Sequence, residues 1–205
     1  MRHPTNPNRY LLSRNLAPAL VTAEDIVEYD LDSNPMNAAG RPSFLERFIH
    51  GEIYKARPDV NAVVHSHSPA VIPFGISQVS MRATYHMAGF LVAGVPVFEI
   101  RKAGGMTNML VSNGVLGEAL ATTLADKPVA LLRGHGDVVV GPTVQVAVYR
   151  AVYTEINARL QTAAIGMGGS LTFLEREEGE AFDSVIEQQI ARPWTLWKQK
   201  VMGSK

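Results

Sequence analysis

The chain has 205 residues, 46% hydrophobic and 19% charged, with 19 Lys+Arg against 19 Asp+Glu and no cysteine. That length is enough to bury a core without covalent staples and points to one globular domain, 1–205. Zero net charge removes the electrostatic case for nucleic acid or an anionic membrane as the main partner, and the lack of Cys leaves any metal to His, Asp or Glu.

No apolar run approaches the roughly 20 residues of a membrane span. The N-terminus, Met1-Arg2-His3-Pro4-Thr5-Asn6-Pro7, is polar and broken by proline, unlike a signal peptide. A cytoplasmic location is the expectation. Tyr10–Ser13 and Ile26–Leu31 read as short strands, followed by turn chemistry at Asp32-Ser33-Asn34-Pro35. From Ser43 to Ala56 the apolar residues Leu45, Phe48, Ile49, Ile53 and Ala56 recur at helical spacing, and Ser43 with Glu46 has the pattern of a capping box. Val60–His65 reads as a strand, and Ser68-Pro69 opens a short helix toward Phe74. Strands follow at Val95–Ile100, Val129–Leu132 and Val138–Gly141, with a helix over Asn113–Leu124. Thr143 caps a long helix to about Ile165, and a last helix covers Glu175–Ile190. The alternation is that of a mixed α/β fold, one sheet flanked by helices.

The chain's six histidines are distributed unevenly. His65 and His67 close an apolar strand in Val63-Val64-His65-Ser66-His67, and residues two apart in a strand point to one side. His135 stands between Gly134 and Gly136 just past another buried strand, where glycines allow tight turning and close backbone approach. Three neutral imidazoles with an open position make a Lewis-acid site for one divalent cation. With a carboxylate added, the donor set suits zinc or manganese, and also iron or cobalt. Glu46 and His50 share a face of the helix preceding the His-x-His strand. Either Glu46 caps that helix and pairs with His50, or it returns to the metal as fourth ligand or general acid/base.

Glu46-x-x-x-His50, then Arg57-Pro58-Asp59-Val60-Asn61-Ala62-Val63-Val64-His65-Ser66-His67-Ser68-Pro69, then Leu131-Leu132-Arg133-Gly134-His135-Gly136, resembles the class II aldolase/adducin family from about Tyr10 to Gly166. The resemblance implies a three-layer domain with a central, mainly antiparallel sheet, one divalent metal ion per subunit, and a homotetramer with sites between subunits. It carries the metal role to His65, His67 and His135 and an acid/base or labile-ligand role to Glu46. His86, after Tyr85, falls where family aldolases place a tyrosine reaching in from the next subunit. It is the candidate proton donor across an interface, the alternative being a surface histidine.

Sugar-phosphate members of that family hold phosphate with a Gly-Asn-x-Ser loop and a Ser-Ser pair just before the Glu. Here Phe44-Leu45 precede Glu46, an apolar pair that favours a flat substrate, and the loop has no counterpart. A missing N-terminal helix and strand is the expectation that follows. The remaining motifs are similar to decarboxylases of hydroxylated aromatic dicarboxylates, such as dihydroxyphthalate or a hydroxypyridine dicarboxylate. That resemblance implies a small-molecule aromatic carboxylate substrate, ring ketonisation to a β-keto acid, and a metal that stabilises the enolate left by CO₂. Candidate substrate contacts are Phe44, Ser66 and Arg133, with Trp194 and Trp197 as a C-terminal lid or as subunit packing. Arg101 and Lys102 are either a second carboxylate site or solvated charges. An aldolase, dehydratase or epimerase of a sugar phosphate and a non-catalytic adducin-like interaction module are the rival expectations.

Overall fold

The computed structural model describes residues 1–186 and 188–203. Strand β1 (Arg9–Ser13) pairs antiparallel with β2 (Ile26–Asp30) as a separate ribbon. Helix α1 (Arg47–Ala56) leads into β3 (Ala62–Ser66), and the short helix α2 (Ile72–Ile76) follows. A 3-10 segment, His86–Ala93, precedes β4 (Val97–Phe98), α3 (Ile100–Gly104) and α4 (Gly114–Leu124). Strands β5 (Val129–Leu132) and β6 (Gly136–Gly141) form a hairpin, and α5 (Val144–Met167), α6 (Arg176–Ile186) and α7 (Ala191–Gly203) close the chain. Among the described residues no helix is long and apolar enough to cross a membrane.

The central sheet has the order β3-β6-β5-β4, antiparallel except for the β4/β5 pair. Period-two alternation along the strands divides the core into two layers. Ala130, Leu132, Val138 and Val140 meet Ile49 and Ile53 of α1 and Leu116, Leu120 and Leu124 of α4. Val129, Leu131 and Val139 face the other way, onto Phe74, Val146, Tyr149 and Ala158. This is the three-layer, mainly antiparallel arrangement that the family resemblance implies.

Helix ends follow local chemistry. Asn113 caps α4 through the Leu116 N–H at 3.0 Å, and Thr143 caps α5 through the Val146 N–H at 3.2 Å. The carbonyl end of α1 is closed by the buried Arg2 guanidinium, which donates to Tyr54 O at 2.9 Å, Arg57 O at 3.0 Å and Val60 O at 3.1 Å.

Three expectations change. The helix predicted from Ser43 begins at Arg47, Glu46 is its boundary residue without a side-chain cap, and Ser43 forms a β-bridge with Arg14. The capping box is absent because the Glu46 carboxylate is engaged elsewhere. The strand predicted over Val95–Ile100 is cut to Val97–Phe98, as Ile100 starts α3 behind a Glu99 cap that accepts the Arg101 N–H at 3.0 Å. The last helix, predicted over Glu175–Ile190, spans Arg176–Ile186; residue 187 lies outside the described residues, and a further helix, α7, follows over Ala191–Gly203. Pro193 sits in the first turn of α7, where a missing N–H is tolerated.

Buried amides of α5 do what a neighbouring strand would do for residues 80–84. Asn157 accepts the Thr84 N–H at 2.9 Å and donates to Arg82 O at 2.8 Å; one turn on, Gln161 accepts the Arg82 N–H at 3.0 Å and donates to Ser80 O at 2.8 Å. Asn157→Leu strips two backbone groups of their partners and should lower stability in urea unfolding by about 2–3 kcal/mol. An unchanged midpoint would show the ladder to be dispensable.

Candidate metal centre

Strand pairing brings the histidines together. His65 lies opposite Val138 and Ser66 opposite Asp137, so β3 ends beside the start of β6. His135 occupies the turn joining β5 to β6, where Gly134 takes φ +64° and the His135 N–H closes onto Leu132 O at 3.0 Å. A Cβ on Gly136 would overlap the Ser66 carbonyl oxygen, so only glycine lets the two strands meet at this point. Parity turns His65 to the same face as Val63, where α1 packs, and Glu46 enters from the start of α1.

The ligand atoms of Glu46, His65, His67 and His135 all lie within 4.8 Å of one another. His67 Nε2 is 3.2 Å from His65 Nε2 and 2.9 Å from His135 Nε2. Glu46 Oε2 is 3.4 Å from His65 Nε2 and 3.5 Å from His135 Nε2. Ligands held about 2.0–2.1 Å from a tetrahedral ion stand about 3.3 Å apart. Four of the six separations among these atoms are therefore close to the edge of such a tetrahedron.

The ring nitrogens that point away from this centre fix the tautomers. His65 Nδ1 is 2.9 Å from Asp137 O, and His135 Nδ1 is 3.1 Å from Met109 O. A carbonyl only accepts, so each Nδ1 carries the proton and each Nε2 offers a lone pair to the shared centre. The Val111 N–H donates to Glu46 Oε1 at 3.0 Å, leaving Oε2 for the cluster. Ser66 Oγ donates to the buried Asp137 carboxylate at 2.5 Å, and burial pushes that carboxyl up to about 6.

Electrostatics favour a cation here. Burial acts to raise the Glu46 carboxyl, but His135, His65 and the Val111 N–H outweigh it and hold the group well below the usual carboxylate range. The Glu46 hydrogen bond raises His135 against the opposing effect of burial. Burial, with His65 and His135 nearby, lowers His67. His50 does not pair with Glu46 as the structural alternative had it: its Nδ1 has no partner, its ring stacks 6.3 Å from Tyr10, and burial lowers it to about 3.

The other candidate residues are dispersed. Phe44 is half-buried in the segment entering α1. Arg133 Nε lies 2.6 Å from Glu99 Oε2, which Arg101 Nη2 also approaches at 2.6 Å, so both predicted carboxylate binders share an internal counter-ion. Lys102 is exposed. His86 is exposed, its ring edge-on to Phe182 at 4.7 Å. Trp194 and Trp197 fall on α7; Trp197 packs toward Tyr153 of α5 at 6.4 Å, in the layer opposite α1, instead of closing over the histidines. A 570 Å³ apolar cleft between α5 and α7, lined by Met87, Tyr153, Ile186 and Leu196, includes none of the four ligands. Sequence reasoning missed Asp137, Met109 and Val111. The last two act through backbone atoms, which leave no side-chain signature.

The fold is a mixed α/β sheet domain that gathers one carboxylate and three imidazoles able to hold a divalent ion. The model of the Class II Aldolase and Adducin N-terminal domain matches residues 6–162, and the chain belongs to that family. It is 35% identical over 224 residues to decarboxylase tropJ of Talaromyces stipitatus, covering 98% of this chain and 84% of that protein. It is 33% identical over 162 residues to 3,4-dihydroxyphthalate decarboxylase of Arthrobacter keyseri, covering 75% of this chain and 62% of the relative. Among solved structures, L-fuculose 1-phosphate aldolase from Glaciozyma antarctica shares the fold with a TM-score of 0.79 at 22% identity, covering 99% of this chain and 79% of that one. Class II aldolases use a divalent metal, and the Glu46/His₃ group could bind one.

His135→Ala should abolish binding of Mn²⁺ or Zn²⁺ in calorimetric titration while the protein stays folded; retained stoichiometric binding would misplace the centre. Because Glu46 raises His135, protons compete with metal for its Nε2, and affinity should begin to fall at a pH above the ordinary histidine range. Glu46→Gln removes that support and should move the pH dependence downward.

Proposed function

We propose that the chain is a metal-dependent carbon–carbon lyase that decarboxylates an ortho-hydroxylated aromatic mono- or dicarboxylic acid. Family membership and decarboxylase relatives at 30–35% identity support a lyase. The observation that carries the mechanism is the convergence of Glu46, His65, His67 and His135 with both buried Nδ1 atoms fixed on carbonyls. Phe44-Leu45 before Glu46 supports an aromatic substrate over a sugar phosphate.

His65, His67 and His135 would hold a divalent ion, which would supply Lewis-acid stabilisation of negative charge on a substrate oxygen. The chain's own task is the proton. One proton must reach the ring carbon that bears the carboxylate; the bond to that carboxylate then breaks, and its electron pair stays with the ring. Glu46, held ionised, suits ligation or proton acceptance better than donation. His86, exposed on its own subunit, is the proposed donor to a neighbouring subunit's site in a cytoplasmic homotetramer. Arg133, beside His135 and braced by Glu99, orients a carboxylate, with Phe44 and Ser66 near the ring. In the same assembly Trp194 and Trp197 serve the neighbouring subunit's surface.

Purified protein should release CO₂ from hydroxylated phthalates, hydroxypyridine dicarboxylates or hydroxybenzoates, with loss of turnover in chelator. Cleavage of ketose phosphates with no action on these acids would sink the proposal in favour of an aldolase. His86→Asn should lower kcat by about 10²–10⁴-fold. Mixing it with Glu46→Gln subunits should restore part of the activity; no recovery on mixing would place His86 outside a shared site.

A further inference from the structure

The segment Thr107–Val111 joins α3 to α4 and touches two of the four ligands through its backbone. The Met109 carbonyl accepts from His135 Nδ1 at 3.1 Å, and two residues on, the Val111 N–H donates to Glu46 at 3.0 Å. The intervening donors are also committed: Thr107 Oγ1 accepts the Met109 N–H at 3.0 Å, and Asn108 Oδ1 accepts the Leu110 N–H at 3.1 Å. Three successive N–H groups thus hold the chain in one path. Met109 adopts φ +73°, a left-handed conformation that L side chains seldom take. The other non-glycine residues with positive φ among those described, Ser33, Ala39 and Ala125, lie outside this segment. Strained backbone beside a functional centre persists where the surroundings over-determine it.

We propose that Met109 is a positioning residue of the metal centre, whose left-handed backbone aims its carbonyl at His135 while the following Val111 N–H holds Glu46. The two ligands so held come from elements far apart in sequence, the α1 boundary and the β5–β6 turn. The strap fixes their separation, and its geometry sets how tightly the four atoms close on an ion. The Met109 side chain has a second contact, its Sδ 3.4 Å from Arg133 Nη2, which any substitution removes. Backbone and side-chain roles are therefore separable. Although this inference rests on the metal centre proposed above, its readout is ion binding and needs no substrate.

The test compares Met109→Gly and Met109→Asn, which tolerate positive φ, with Met109→Val and Met109→Ile, which resist it. Each chelator-stripped variant is titrated with Mn²⁺ and with Zn²⁺, and folding is checked by circular dichroism. Gly and Asn should bind within about 3-fold of the parent, and Val and Ile about 10–100-fold more weakly, the usual cost of losing a ligand's outer hydrogen bond. Equal weakening in all four would assign the effect to the side chain and overturn the proposal, as would parent-like affinity in the folded Val variant. Should Val and Ile fail to fold, the imidazole ¹⁵N spectrum of the Gly and Asn variants decides: a His135 Nδ1–H retained as in the parent supports the strap, and its loss overturns it. A parent protein that binds neither ion would overturn the metal centre itself, an outcome distinct from failure of the strap alone.

Discussion

The site depends on one backbone constraint, the insertion of β6 between β3 and β5. Each edge of β6 is paired antiparallel, so its first residues stand beside the end of β3 on one side and of β5 on the other. His67 and His135 lie just past those ends, and His65 one rung inside. Ligands from residues 65–67 and 135 therefore converge without any long-range adjustment. Gly136 makes the rung possible, since any Cβ would strike Ser66 O. Asp137, opposite Ser66, accepts the His65 Nδ1 proton on its carbonyl and the Ser66 hydroxyl on its carboxylate. A single strand terminus thus closes the fold and orients the chemistry.

Burial then creates the demand for a cation. The Glu46, His65 and His135 side chains are 5%, 5% and 8% exposed, while His67 is exposed. In the neutral rings, Nδ1 protons committed to carbonyls leave Nε2 lone pairs crowded beside an ionised carboxylate. Such an arrangement is costly unless positive charge is supplied. A proton on His135 supplies part of it, consistent with its upward displacement by Glu46. A divalent ion would satisfy all four donors at once, and its binding free energy would stabilise the folded state that presents them.

The sheet and the meeting of three histidines were legible because their signals are periodic and short. Alternation at Val129–Leu132 and Val138–Val140 gives the two core faces, and His-x-His at a strand end gives the shared side. Of the two readings open for Glu46, the capping box does not form and the return toward the histidines does, because tertiary demand for the carboxylate outweighs a local hydrogen bond. The α5 amides escaped notice for a related reason: Asn157 and Gln161 one turn apart look like polar residues on a solvated helix face. They are buried because residues 80–84, without a strand partner in the sheet, need a substitute.

The approach to α1 bears on what can lie against the cluster. A phosphate dianion needs several donors aimed at one point. The residues that lead into α1 here are half-buried Phe44 and Leu45, which is 54% exposed, and neither side chain offers a hydrogen-bond donor. An aromatic acid makes a different demand. Its ring covers apolar side chains, gaining from the surface removed from water, and its hydroxyl and carboxylate oxygens lie in one plane at chelating distance from a cation. The Val111 N–H fixes Glu46 Oε1 at 3.0 Å and leaves Oε2 facing the histidines. On the proposed reading, the apolar pair Phe44-Leu45 before Glu46 therefore favours a ring over a phosphate at this approach.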